Sequence, residues 1–193
     1  TPLSAAIRLA CFSFIIIGLV SFVFHQTKLT IQKNERQALL QSLQSVLEQT
    51  LYDNQPDKDK IMLQNNIIYP VYKAEIPVAV AIKSSTPHGY NGDIQILTAL
   101  DIAGNIIAAR ILNHKETAGL GDKIELKKSD WLLNFRQKSL ADMQSRHWAV
   151  KRDQGSFDQF TGATITPRAV VNEVKTVGLF FQQYKTQIFP QLK

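Results

Sequence analysis

The stretch Asp158-Gln159-Phe160-Thr161-Gly162-Ala163-Thr164, continued by Ile165-Thr166-Pro167-Arg168, decides how the C-terminal part of this chain folds. Thr166-Pro167 reads as a helix N-cap followed by proline at the first helical position, where the missing N–H costs nothing. Val170, Val171, Val174, Val177, Gly178 and Phe181 then recur at the spacing of one buried helical stripe. A helix is therefore expected to start two or three residues after Thr164 and to run from Pro167 to about Gln187. Its unpaired N–H groups and positive dipole end favour a phosphate nearby, and Arg168 in the first turn would add a charge-assisted contact. Gly162 and Ala163 keep the approach to the Thr164 hydroxyl small. Taken alone, Thr161 and Thr164 are better read as turn and capping residues ahead of an ordinary helix, because short patterns match by chance often.

A second stretch upstream changes that balance: Asn113-His114-Lys115-Glu116-Thr117-Ala118-Gly119-Leu120-Gly121-Asp122. His114 and Glu116 alternate along a strand end and so share a side, which on residues alone describes a hydrogen-bonded loop anchor. The two stretches together resemble a family of FMN-binding electron-transfer subunits. The first resembles its Asp-x-x-Thr-Gly-Ala-Thr flavinylation motif, and the second its His-x-Glu-Thr-Pro-Gly-Leu-Gly segment. With Trp131-Leu132-Leu133-Asn134-Phe135 and the whole run from Phe157 to Asn172, the chain is similar to the G subunits of Rnf (Rsx) ion-translocating electron transport complexes. The similarity covers most of the chain. It departs at Ala118, where the family usually has Pro, and at Gln154, where the run is usually Asp-Gly-Gly; neither change removes a reactive group.

The resemblance implies a site. Thr164 would be esterified through its hydroxyl to the phosphate of FMN, held covalently by a phosphodiester bond. Glu116 and Thr117, with the backbone of Gly119, Leu120 and Gly121, would line the flavin, and Thr161 would at most orient the acceptor. Asp158, an acidic group close to the acceptor, would serve recognition by a flavin transferase or metal binding. That transferase is implied to be a separate, magnesium-dependent enzyme that takes FMN from FAD. The resemblance further implies a route between reduced ferredoxin and NAD through several subunits, coupled to ion movement, with this chain holding one FMN between membrane-embedded partners.

The N-terminus supports a membrane setting. No charged residue occurs from Leu9 to Phe24, and Ile7 to Phe24 as a helix would be roughly 27 Å long, close to the hydrocarbon thickness of a bilayer. A signal peptide is the competing reading, but no small-x-small site follows Phe24, so an uncleaved anchor is expected. Arg8 precedes the span while Lys28, Lys33 and Arg36 follow it, and a literal positive-inside count puts the large domain in the cytoplasm. The resemblance implies the opposite: a bacterial inner-membrane, single-pass protein with its domain on the periplasmic side, which is the expectation adopted.

Composition removes other classes. The single Cys11 lies inside the span, so neither an internal disulfide nor a thiolate-held iron–sulfur cluster fits the chain. If this protein moves electrons, an organic cofactor carries them. The net charge of +6 comes from 22 Lys and Arg scattered among 16 acidic residues, with no basic run, so no nucleic-acid partner is expected; anionic lipid head groups or an acidic partner protein suit it better. His25, His88, His114 and His147 have no metal-ligand spacing, and no metal site is expected. No residue is an obvious nucleophile, general base or substrate clamp, so catalytic residues are not assigned and an electron relay is favoured over independent turnover.

The expected fold is α+β: a transmembrane helix, then one FMN-binding domain with an antiparallel sheet and flanking helices. Residues 1–27 form the anchor, 28–55 an amphipathic connecting helix, and 56–193 the electron-transfer domain. Leu39, Leu40, Leu43, Val46, Leu47 and Leu51 stripe the second segment, and the polar break around Asp53, Asn54 and Pro56 reads as a linker. Val78–Ile82, Asp93–Leu100 and Asn105–Leu112 read as strands, with a turn at Ala103-Gly104-Asn105, His88 lies in a turn, and Ser129–Gln137 reads as a short capped helix. Two alternatives stand beside this reading. One is the C subunit of a sodium-pumping NADH:quinone oxidoreductase, usually longer; the other is a non-redox membrane-anchored interaction domain with Thr164 unmodified.

Overall fold

Strands β1 (Ile61–Leu63), β2 (Asn66–Lys73), β3 (Ile76–Gly89), β4 (Gly92–Asp101) and β5 (Ile106–Asn113) pair antiparallel in chain order as one meander. The computed structural model describes residues 2–139, 141, 143 and 146–192. Register divides the sheet into two faces, because side chains alternate along each strand. Ile68, Ile82, Thr98 and Ala109 pair across neighbouring strands on one face, and Tyr69, Ala81, Ala99 and Ala108 on the other.

The first face carries the main core. Helix α1 (Pro2–Val46) opens the chain and α2 (Ile165–Ile188) closes it, and α2 lies against β3 and β4. Val170, Val171, Val174, Val177 and Phe181, the stripe read from sequence, are all buried in that core. Each such side chain contributes about 1.5–3 kcal/mol on leaving water, so this stripe is what seats α2. Trp131, Phe135, Trp148 and Phe157 extend the core beyond the end of the sheet, with Phe135 and Phe157 stacked at 4.7 Å between centroids.

The second face is lined by small residues, including Ala79, Ala81, Ala99 and Ala108, and it too is buried. Leu43 and Val46 at the end of α1, and Leu47 just past it, are buried outside the main core. Arg110 on β5 ties them down by donating from Nη2 to the Ser45 carbonyl at 3.0 Å. The chain divides into two compact units, one up to Leu40 and one from Gln41 onward. In the first unit α1 is exposed all round, Phe14 to 80 %, and it is the one helix among the described residues long and apolar enough to cross a membrane.

Several sequence expectations are revised. The polar break at Asp53-Asn54 is a strap along β2 rather than a linker. Asn54 accepts from Tyr72 N–H (3.0 Å) and donates to the Pro70 carbonyl (3.1 Å), and Asp53 takes the Ala74 N–H (2.8 Å). Beyond Ile68 the outer edge of β2 has lost β1 as a neighbour, so these side chains satisfy backbone groups that would otherwise be unpaired. The expected strand at Val78–Ile82 runs on to Gly89, taking in His88, because Ser84 and Thr86 are interior despite their polarity. Strands β1 and β2 were not anticipated. The expected helix at Ser129–Gln137 is a 3₁₀ segment, Asp130–Phe135, capped as foreseen by the Ser129 hydroxyl accepting from Trp131 N–H.

Candidate functional site

A tight turn delivers the Thr-Gly-Ala-Thr segment. Ala163 N–H bonds to the Phe160 carbonyl at 3.0 Å, and Gly162 sits at φ +81°, a backbone conformation that a side chain would oppose. The turn is anchored from below by Trp131. Its indole Nε1 donates to the Asp158 carbonyl at 2.8 Å, and its ring meets Phe160 edge-on at 5.2 Å. Burial of both aromatics therefore sets where the turn stands.

Helix α2 begins at Ile165, earlier than its sequence suggested. Thr164 already has helical angles (φ −78°, ψ −29°), its carbonyl receives Arg168 N–H at 3.3 Å, and its side chain makes no capping hydrogen bond. Thr166, expected to be the cap, is the second helical residue and only 1 % exposed. Its hydroxyl donates instead to Glu116 Oε2. Pro167 still falls in the first turn, where a missing N–H is harmless.

The upstream loop meets this helix start. His114 Nδ1 accepts the Glu116 N–H at 3.0 Å, which leaves Nε2 to carry the proton and donate to Glu125 at 2.9 Å. Glu116, 8 % exposed, receives Asn91 N–H on Oε1 at 3.0 Å, while Asn91 Nδ2 donates to the Thr117 hydroxyl at 3.1 Å. The loop then folds back on itself, with Gly121 N–H reaching the Thr117 carbonyl at 3.1 Å. On two sides glycines pack closely against the carboxylate. A Cβ on Gly121 would fall 2.8 Å from Glu116 Oε2 and 2.9 Å from Thr166 Oγ1, and one on Gly89 would fall 2.8 Å from Glu116 Oε1.

Between these segments lies a cavity of about 370 Å³, lined by Tyr90, Glu116, Thr117, Leu120, Gly121 and residues 162–166. Its volume falls within the range of small-molecule sites, about 300–1,000 Å³. One end presents the α2 N-terminus, with no acidic residue in the first turn; the first helical N–H groups have no carbonyl four residues back to bond. The rim is apolar: Tyr90, Leu120 and Ile165 are large and exposed there. A helix N-terminus at one end joined to an apolar wall is the arrangement that would suit a phosphate carried on a flat ring system, as in FMN.

Not every expected residue reaches the cavity. Thr161 is exposed outside the lining, and Gly119 (φ +79°) turns the loop without lining it. Asp158 is exposed and paired with Lys151 at 2.5 Å. Arg168, expected to meet a phosphate, instead grips Asp153 through Nε and Nη2 at 2.5 and 2.8 Å. This hydrogen bonding holds the Asp153 carboxyl below its ordinary range and raises Arg168. The pair forms because the turn Lys151–Asp153 stands beside the first turn of α2, a proximity no local pattern encodes. Among the described residues, no cluster of three or more His, Cys, Asp or Glu is placed to hold a metal.

A family model described as the FMN-binding domain matches residues 89–177, which begin at the Gly89 turn and end within α2. A second, the RnfG N-terminal region, matches residues 3–46, nearly the whole of α1. The G subunit of the ion-translocating oxidoreductase complex of Photorhabdus laumondii is 44 % identical over 187 residues, covering 91 % of this chain and 88 % of that protein. The G subunits of Shewanella baltica (41 % over 190 residues, 94 % and 90 % covered) and Pseudoalteromonas atlantica (39 % over 190, 94 % and 88 %) are similarly close. This chain belongs to that G-subunit family.

Within the family, the two departures noted in the sequence have little structural consequence. Gln154 adopts a left-handed conformation (φ +63°), which explains why glycine suits the position, yet its N–H still closes the turn on Lys151 at 3.0 Å. Ala118 is exposed and outside the cavity lining. What the sequence did not disclose is the contribution of the Gly89-Tyr90-Asn91-Gly92 turn. Its Gly and Asn content marks a turn, but nothing local says that Tyr90 forms cavity wall or that Asn91 holds Glu116.

Proposed function

We propose that this chain holds one FMN in the cavity at the α2 N-terminus, linked by phosphodiester to Thr164, and relays single electrons or pairs within its complex. At the coarser level, the FMN-binding domain, the apolar α1 and membership of the G-subunit family make it a membrane-anchored flavoprotein subunit of an ion-translocating oxidoreductase complex, working with other subunits. The observation that carries the finer reading is the convergence of two separated stretches on one cavity. Glu116, Thr117, Leu120 and Gly121 form one wall, Gly162–Thr166 the other, and Thr164 stands where the helix N-terminus faces that space.

In this reading FMN supplies the redox chemistry, and the protein binds and orients it. The α2 N–H groups hold the phosphate, Leu120 and Tyr90 offer apolar surface, and Gly162 and Ala163 leave the Thr164 hydroxyl open to a bulky donor. Attachment forms the Thr164 Oγ1–phosphorus bond and breaks the phosphoanhydride of FAD; AMP departs and the hydroxyl proton is released. A separate magnesium-dependent transferase performs that step, with Asp158 and its surroundings as part of what it recognises and Thr161 as an orienting neighbour. The anchor, residues 1–27, continues through the connecting segment into the compact unit from Gln41 onward, and holds it at a bacterial inner membrane, on the periplasmic side and next to lipid. There a covalent bond keeps the flavin from being lost.

Mass spectrometry tests this directly. Protein made with the transferase present should carry the added FMN mass on Thr164, and its band should fluoresce yellow-green after denaturing electrophoresis. Thr164→Val keeps the shape but removes the ester oxygen, so it should abolish both signals at unchanged thermal stability. The mass on Thr161, or none on well-folded wild-type protein, would overturn the assignment.

A further inference from the structure

Three hydroxyls lie in the Thr161–Thr166 segment, and the geometry treats them differently: Thr161 is exposed, Thr164 lines the cavity, and Thr166 is buried with its hydroxyl committed to Glu116. We infer that Glu116 is a positioning residue for the acceptor: through Thr166 it sets the place of the first turn of α2, and with it Thr164. This rests on the reading that Thr164 accepts FMN. The carboxylate spends its two oxygens on protein partners, Oε1 on Asn91 N–H and Oε2 on the Thr166 hydroxyl. One side chain thus joins the β3–β4 turn, the His114–Gly121 loop and α2.

Its own place is overdetermined. His114 holds the Glu116 backbone N–H and is held in turn by Glu125, and both flanking glycines leave room for the carboxylate and nothing more. Charge-assisted hydrogen bonds of this kind are short and directional. Ile165, between Thr164 and Thr166, is exposed at the rim, and the next side-chain tie along α2 is the Arg168–Asp153 pair at the end of the first turn. Loss of the Glu116–Thr166 contact should let the first helical turn fray and move the acceptor hydroxyl, while the valine stripe keeps the rest of α2 seated.

The test uses the full chain in detergent, purified without flavin transferase and then given transferase, magnesium and FAD. The initial rate at which FMN mass appears on the Thr164 peptide is read beside the melting midpoint. Glu116→Ala and Thr166→Val should each slow attachment about tenfold or more, the scale on which a lost hydrogen bond to a charged group shows. The double variant should be no slower than the slower single one, and Thr166→Ser should restore the wild-type rate. Wild-type rates in both single variants would overturn the inference while leaving Thr164 as the acceptor. Slow attachment in Glu116→Ala with a normal rate in Thr166→Val would overturn it too, by giving Glu116 a role at the flavin itself. If Glu116→Ala does not fold, Thr166→Val against Thr166→Ser decides: equal rates overturn the inference. Absence of attachment in the wild-type chain would instead remove the reading on which it rests.

Discussion

Gly121 shows how tightly the site is drawn at the scale of single residues. Its φ is not left-handed, so no backbone strain demands glycine; the requirement comes from neighbours, with Glu116 Oε2 and Cβ and Thr166 Oγ1 all within 2.9 Å of where a methyl would stand. Gly121→Ala should therefore push Glu116 off Thr166 and lower stability by about 1–3 kcal/mol, as overpacking in a filled core does. A depressed urea midpoint, together with slower FMN attachment, is the expected result; an unchanged midpoint would mean that the loop relaxes freely. The importance of Gly119-Leu120-Gly121 was legible in sequence, but its reason was not. A pattern of glycines marks where a side chain is unwelcome and leaves open whether φ or a packed neighbour forbids it.

Among the elements, the β2–β3 hairpin explains best why part of the sheet escaped the sequence. Lys73 pairs with Ile76, so the loop is the two residues Ala74 and Glu75, both left-handed at φ +50° and +62°. That is the geometry of a type I′ turn, which favours Asn-Gly. Ala-Glu carries no such signal, and Pro70 within β2 argues against a strand, although it falls where β2 is an edge, past its pairing with β1, so no neighbouring strand needs the missing N–H. Ala74→Asn with Glu75→Gly should relieve strain and raise stability by about 1 kcal/mol, after allowing for the extra freedom of glycine in the unfolded chain. A higher urea midpoint with an unchanged slope would bear this out; a fall would show that Ala74 and Glu75 make contacts worth more than their strain. Helix α2 is the opposite case. Its valine stripe is local and periodic, so the element was legible almost to its ends, and only its first residues were misjudged because Thr166 bonds sideways to Glu116 instead of capping.

For the whole molecule, the side of the membrane that the domain occupies sets where a C-terminal fusion works. Alkaline phosphatase fused after Lys193 should be active and a green fluorescent protein fusion sent by the general secretory route dark, despite Lys28, Lys33 and Arg36 following the span. The reverse pattern would place the domain in the cytoplasm. The sequence by itself determined the apolar helix, the amphipathic α2, the α+β class and the two stretches that resemble the family's motifs, because each is written in contiguous residues as periodicity, hydropathy, turn chemistry or a short motif. Only the tertiary structure decided that Arg110 on β5 holds the Ser45 carbonyl at the end of α1, that Asp53 and Asn54 strap β2, that Arg168 answers to Asp153, and that Glu116 closes on Thr166. Those contacts join segments far apart along the chain, and a residue's local pattern carries no record of which distant backbone or side chain will come to satisfy it.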